Sequence, residues 1–197
     1  SEKVFIMKRL LLILILTFSF QSWTRADDIS DFEIEGMSIG DSALDHFDKS
    51  IILNNKMDYY KNEKFFTSTL SKIFKSNLYD GLQMSYQSNN FKIYEIEASI
   101  YFNNNNYECK QKSEKIFNEI SSMFPEAKKT DWITKKLEYD ASGLSTVTGR
   151  QLYFENSDYI QVACFDVSEV FEDRGYTDSL KVVLTTNKFA VWRSKNL

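Results

Sequence analysis

Leu82-Gln83-Met84-Ser85-Tyr86-Gln87-Ser88-Asn89-Asn90-Phe91-Lys92-Ile93 decides the fold. Leu82, Met84 and Tyr86 alternate with Gln83, Ser85 and Gln87, the period-two pattern of a half-buried strand. Ser88-Asn89-Asn90 is a hairpin turn signal. On the return, Phe91 and Ile93 occupy one parity and Ile96, Ala98, Ile100 and Phe102 the other. The phase slips near Tyr94 and Glu95, and one inserted residue, a β-bulge, restores a single buried face. An antiparallel hairpin is therefore the seed of the sheet.

Towards the C-terminus, residues 103–106 are a polar break. Cys109, Ser113, Ile116, Phe117, Ile120, Met123 and Phe124 then fall on one stripe at three- and four-residue steps. Pro125 ends that helix, which is predicted over 109–124. Lys128, Lys129, Lys135 and Lys136 form a basic segment around Trp132. Strands follow at 151–154, at 159–167 with Cys164, and at 180–184, separated by a loop at 140–143, a turn at 156–158 and an acidic loop at 170–178. Residues 187–192 fit either a return strand or one helical turn capped by Asn187.

Towards the N-terminus, 59–70 suits a helix through Phe66, Leu70, Ile73 and Phe74. Its β-branched and aromatic content favours a strand. Residues 27–35 read as a short strand or an extended arm, and Gly36-Met37-Ser38 as a turn. Ser38 with Asp41 resembles a capping box, and Leu44, Phe47 and Ile51 continue at helical spacing, so a helix is predicted over 39–49. The order strands, long helix, strands implies an α+β fold. An antiparallel sheet of five to seven strands carries the 109–124 helix on one face, with a short N-terminal helix beside it. Without repeat or linker, 27–197 reads as a single domain.

Residues 1–26 read differently. The first methionine is Met7, and 1–6 are taken as an upstream extension. Lys8 and Arg9 precede an uncharged, mostly apolar run from Leu10 to Phe20. Thr24-Arg25-Ala26 then offers a cleavage point between Ala26 and Asp27, the order of a secretory signal peptide. The run is too short to cross ~30 Å of hydrocarbon as a helix. A periplasmic or secreted protein without a stable membrane span is expected, and with no cysteine near the cleavage point, no lipid anchor.

The whole chain carries −4, and residues 1–26 contribute +3 through Lys3, Lys8, Arg9, Arg25 and Glu2, which leaves −7 on 27–197. That balance disfavours nucleic acid, whose binding depends on neutralising phosphates. Apolar residues at 43% and charged residues at 26% are globular proportions. Outside the cytoplasm the two cysteines, Cys109 and Cys164, are expected to form one disulfide clamping helix to sheet, worth roughly 4 kcal/mol in the chain-entropy model.

Chemistry-bearing sets are incomplete. His46 is the only histidine; with Asp41, Asp45 and Asp48 it makes a partial metal or acid–base set, and the same residues fit a solvated helix face. Glu169, Glu172, Asp173 and Asp178 lack the order of a calcium loop. No phosphate loop, dinucleotide fingerprint or nucleophile elbow occurs, so no cofactor, catalytic residue or metal ligand is assigned.

Ile34-Glu35-Gly36-Met37-Ser38-Ile39-Gly40-Asp41-Ser42, followed by Leu44, resembles the turn into a helix that opens small periplasmic domains of the outer-membrane assembly lipoprotein (SmpA/OmlA-like) and β-lactamase-inhibitor-like classes. The resemblance covers this stretch and implies an α+β binding module without catalysis; the lipid-anchor cysteine of the first class is missing. Residues 28–47 with 159–166 are similar to exported proteins of AT-rich marine bacteria, which implies export alone. A non-catalytic exported binding module with an envelope protein as partner is therefore the leading expectation. An exported hydrolase using carboxylates and a structural envelope protein are the alternatives.

Overall fold

A computed structural model describes residues 27–102 and 106–197. The signal-peptide reading of 1–26, Ala26 included, and the loop residues 103–105 lie outside the described residues. The strands are β1 (Lys56–Met57), β2 (Phe65–Thr69), β3 (Gly81–Gln87), β4 (Ile93–Tyr101), β5 (Lys128–Lys129), β6 (Ile133–Lys136), β7 (Thr146–Tyr153), β8 (Tyr159–Asp166) and β9 (Ser179–Thr185). The helices are α1 (Lys49–Asn54), α2 (Asn106–Met123), α3 (Glu169–Glu172) and α4 (Asn187–Arg193). All nine strands join one antiparallel sheet in the order β1-β2-β3-β4-β9-β8-β7-β5, with β6 also paired to β7.

The hairpin forms as its alternation requires. Ser85 pairs with Glu95 and Tyr86 with Ile93, so the extra residue is Tyr94, and the bulge returns Ile93 and Ile96 to one face. That face runs through Met84, Ile96, Leu184 and Ile160, and α2 covers its β8–β9 part. Cys109, Ser113, Phe117 and Ile120 are the buried stripe of α2, and Phe124 is buried just beyond it. Met123 departs from the expected stripe and is 47% exposed. The Sγ atoms of Cys109 and Cys164 are bonded, tying the first turns of α2 to β8.

Two expectations are corrected. Nine strands replace five to seven, because β1 and β5 have only two residues and β6 is exposed at all four, so none carries an alternating pattern. The helix over 39–49 is replaced by a 3-10 turn at Ala43–Asp45, followed by α1. Half of the capping relation does form, with Ser38 N donating to Asp41 Oδ2 at 2.8 Å. Gly40, however, adopts φ +100°, outside helical space. Its neighbours instead hydrogen-bond to the hairpin: Gly40 N donates to Ile93 O, Ile93 N to Asp41 O and Ala43 N to Phe91 O. Tertiary backbone pairing overrides the local helix signal there. Residues 27–35 hold a capped 3-10 turn at Ile29–Asp31, and the acidic loop contains α3. Residues 187–192 belong to α4, whose cap is Thr186: its Oγ1 accepts from Phe189 N.

Candidate functional site

The second face of the sheet differs from the packed one. Strand parity places Thr67, Ser85, Glu95 and Thr185 on it in one row, with Tyr159 beyond. The next row reads Thr69, Gln83, Glu97, Val183, Gln161 and Gln151 across six strands. This is the polar parity of the alternating strands, and two ion pairs are set into it.

The first pair lies under α4. Arg193 Nη1 donates to both oxygens of Glu95, at 2.7 and 2.5 Å, and Thr185 Oγ1 donates to Oε2 at 2.6 Å. A hydroxyl chain, Tyr60–Thr67–Ser85, leads towards the same carboxylate. Burial pushes the Glu95 carboxyl upward, and the Arg193 guanidinium and the Thr185 hydroxyl pull against it. Phe189 and Trp192 of α4 close the cluster against Phe65 at ring distances of 5.3 and 4.9 Å. The second pair, Lys181 Nζ to Glu97 Oε1 at 2.6 Å, is only partly covered. Lys181 also stands over the Phe165 ring at 4.7 Å. Burial lowers the Lys181 ammonium and the adjacent Glu97 more than offsets it, so the group is held above its ordinary value and stays charged.

Tyrosines gather around these rows. Seven of the eleven in the chain, Tyr59, Tyr60, Tyr94, Tyr101, Tyr139, Tyr153 and Tyr159, lie on or beside this face. Tyr59, Tyr101 and Tyr139 are exposed at 42, 47 and 61%. Burial pushes the Tyr60, Tyr139 and Tyr159 hydroxyls up, which keeps them protonated. Gln151 Nε2 donates to Gln161 Oε1 at 3.0 Å and Tyr153 donates to Gln151 Oε1 at 2.8 Å. The row ends at a recess of about 120 Å³ lined by Ile133, Lys135, Val147, Gly149, Gln151 and Gln161. Gly149 is required there, since a Cβ would stand 2.7 Å from Ala163 Cβ. Such a surface offers many hydrogen bonds and flat rings to a ligand.

The residues singled out from sequence fall elsewhere. His46 Nε2 meets Asp41 Oδ2 at 3.4 Å, and that oxygen already accepts from Ser38 N. Asp45 and Asp48 do not complete a set with them, because the helix that would have aligned all four is absent. Glu169, Glu172 and Asp178 line a hollow with Asp166 and Asn106. Among the described residues, no three His, Cys, Asp or Glu side chains are placed to hold a metal ion. Trp132 packs on Phe117, and its flanking lysines form the β5 and β6 edge. Asp27 lines a hollow of about 420 Å³ with Asp28, Phe124, Ala127 and Phe154, rimmed by Glu126 and Glu155. The carboxyls that burial pushes up, Glu95, Asp158 and Asp178, do not line it. Asp140, which sequence passes over as a loop residue, is buried and accepts from Ser145, Ser142 and Ser168, and the bonds from Ser145 and Ser142 hold its carboxyl far below the usual range. It fastens the 137–145 loop to Ser168 beside the tyrosine face.

Comparison of the chain with protein-family models, with curated proteins and with solved structures finds no match. Among the described residues no helix is long and apolar enough to cross a membrane.

Proposed function

We propose that the chain is an exported, non-catalytic binding module that receives its ligand on the tyrosine-lined polar face of the sheet. The observation that carries this reading is the grouping of seven tyrosines around a row of glutamines and a Lys181–Glu97 pair, on the face that the long helix leaves uncovered. Tyrosine supplies large contact area and a hydroxyl at small entropic cost, so it is enriched where surfaces bind. Export is supported by the n-region and apolar run before Ala26, and the disulfide is compatible with an oxidising compartment.

The test is capture from the host's envelope fraction with the oxidised protein produced from the full sequence. Gln83→Arg with Gln161→Arg is run beside it, and Lys112→Glu on the exposed side of α2 serves as control. A component held by the wild type and the control, and lost with the double variant, is the expected result. Equal capture by all three places binding elsewhere and ends this reading.

A further inference from the structure

We infer that the ligand of this face is an uncharged, hydroxyl-rich chain, a neutral oligosaccharide; the inference rests on the proposed binding role of the face. Charge balance is the first argument. Glu95 is matched by Arg193 and Glu97 by Lys181, so the two rows carry no surplus charge, although residues 27–197 sum to −7. Within the row an ionic ligand finds no unmatched counter-charge, Lys135 standing in the recess at its end, and a polyanion meets the repulsion of the whole molecule.

The second argument is hydrogen-bond chemistry. Gln161 accepts from Gln151 through Oε1, and its Nε2 donors have no partner among the described residues. Gln83 reaches Tyr59 through Nε2 and leaves its Oε1 acceptor open. Glu97 is held by Lys181 through one oxygen. Among the described residues Thr69 Oγ1, beside Gln83, is the buried side-chain oxygen without a partner. A side-chain amide or a carboxylate presents two polar atoms in one plane, the arrangement that adjacent hydroxyls match. The exposed rings of Tyr59, Tyr101 and Tyr139 suit the C–H faces of sugar rings.

The third argument is shape. From Gln83 to Gln151 the row crosses five strands, about 19 Å at the usual strand spacing. It suits an extended chain better than a single sugar. The buried core of a protein–protein interface is usually more apolar than its rim. The centre here is Glu97, Val183 and Gln161, and Val183, its only apolar member, is 9% exposed.

The experiment is NMR of the oxidised protein, following the side-chain amide signals of Gln83, Gln151 and Gln161. The probes are cellohexaose, maltohexaose and the N-acetylglucosamine hexamer, with glucose and a hyaluronan hexamer as comparators. At least one neutral hexamer is expected to shift these signals at millimolar concentration, with glucose and hyaluronan at least tenfold weaker. Gln161→Ala is expected to weaken that binding at least tenfold, and Lys112→Ala to leave it unchanged. Silence from all three neutral hexamers, or equal binding of hyaluronan, overturns the glycan assignment. If envelope capture still depends on Gln83 and Gln161 in that case, the face remains a binding surface for another ligand. If capture is also independent of them, the functional reading falls with it.

Discussion

Glu95 is buried among hydroxyls and rings, where burial favours its neutral form and Arg193, donating to both of its oxygens, pulls the other way. Removing one member of such a pair strands the other, whereas replacing both by apolar groups of similar size is often neutral. Arg193→Ala is therefore expected to destabilise the protein by about 3 kcal/mol. Glu95→Leu combined with Arg193→Met is expected to recover most of that loss. The sign of the pH dependence follows from the direction of the shift. Burial raises the folded Glu95 carboxyl above its unfolded value, so the stability contributed by its neutral form is present below the unfolded value and is lost as pH rises through the folded one. In Arg193→Ala the opposing pull of the guanidinium is gone, so the deficit against wild type should narrow between pH 7 and pH 5. Urea midpoints across that range measure it. A deficit that stays constant with pH, or a double variant as weak as the sum of its singles, contradicts the account.

At the scale of elements, α2 and β8 depend on each other through Cys109 and Cys164, which lie 55 positions apart. Closing a loop of that length removes about 4 kcal/mol of chain entropy from the unfolded state. Reduction of the oxidised protein is expected to lower its unfolding free energy by about that amount, and alkylation before reduction to label no thiol. Two labelled cysteines, or a midpoint indifferent to reductant, would remove the clamp from the explanation. Helix α2 and the β3–β4 hairpin were readable because each buries one side, so Phe117 and Ile120 or Met84 and Tyr86 recur at the period of the element. Strands β5 and β6 were not, since Lys128, Lys129, Lys135 and Lys136 bury neither side. The turn at Ala43–Asp45 hid behind helical spacing because its backbone partners, Phe91 and Ile93, are far away in sequence. The tyrosine face was illegible for a related reason. Tyr101, Tyr139 and Tyr159 come to one face only once the strand order is known, and each reads locally as an ordinary strand or loop residue.

The whole molecule presents two unlike sides and two edges. One side of the sheet is sealed by α2 and the N-terminal segment, and the other carries the polar rows, one of them partly under α4. The edges must therefore avoid capturing strands from other copies. At one edge β1 is only two residues long. At the other, residues 130–132 oppose only Arg150 and Gln151 of β7, a bulge that divides β5 from β6. Leu137 N donates to Ser145 O, so the antiparallel alternation turns the backbone groups of Thr134 and Lys136 away from β7, towards any strand that could add there. Short edges, bulges and lysines are the usual means of blunting such a site. With Ile133 already 52% exposed, the charges of Lys135 and Lys136 are the remaining obstacle to pairing on β6. Lys135→Val with Lys136→Val is expected to give concentration-dependent association in size-exclusion chromatography with light scattering, and Lys135→Ser with Lys136→Ser much less. If the valine variant elutes as the wild type does at every concentration, the bulge alone protects this edge and the lysines are free for another role.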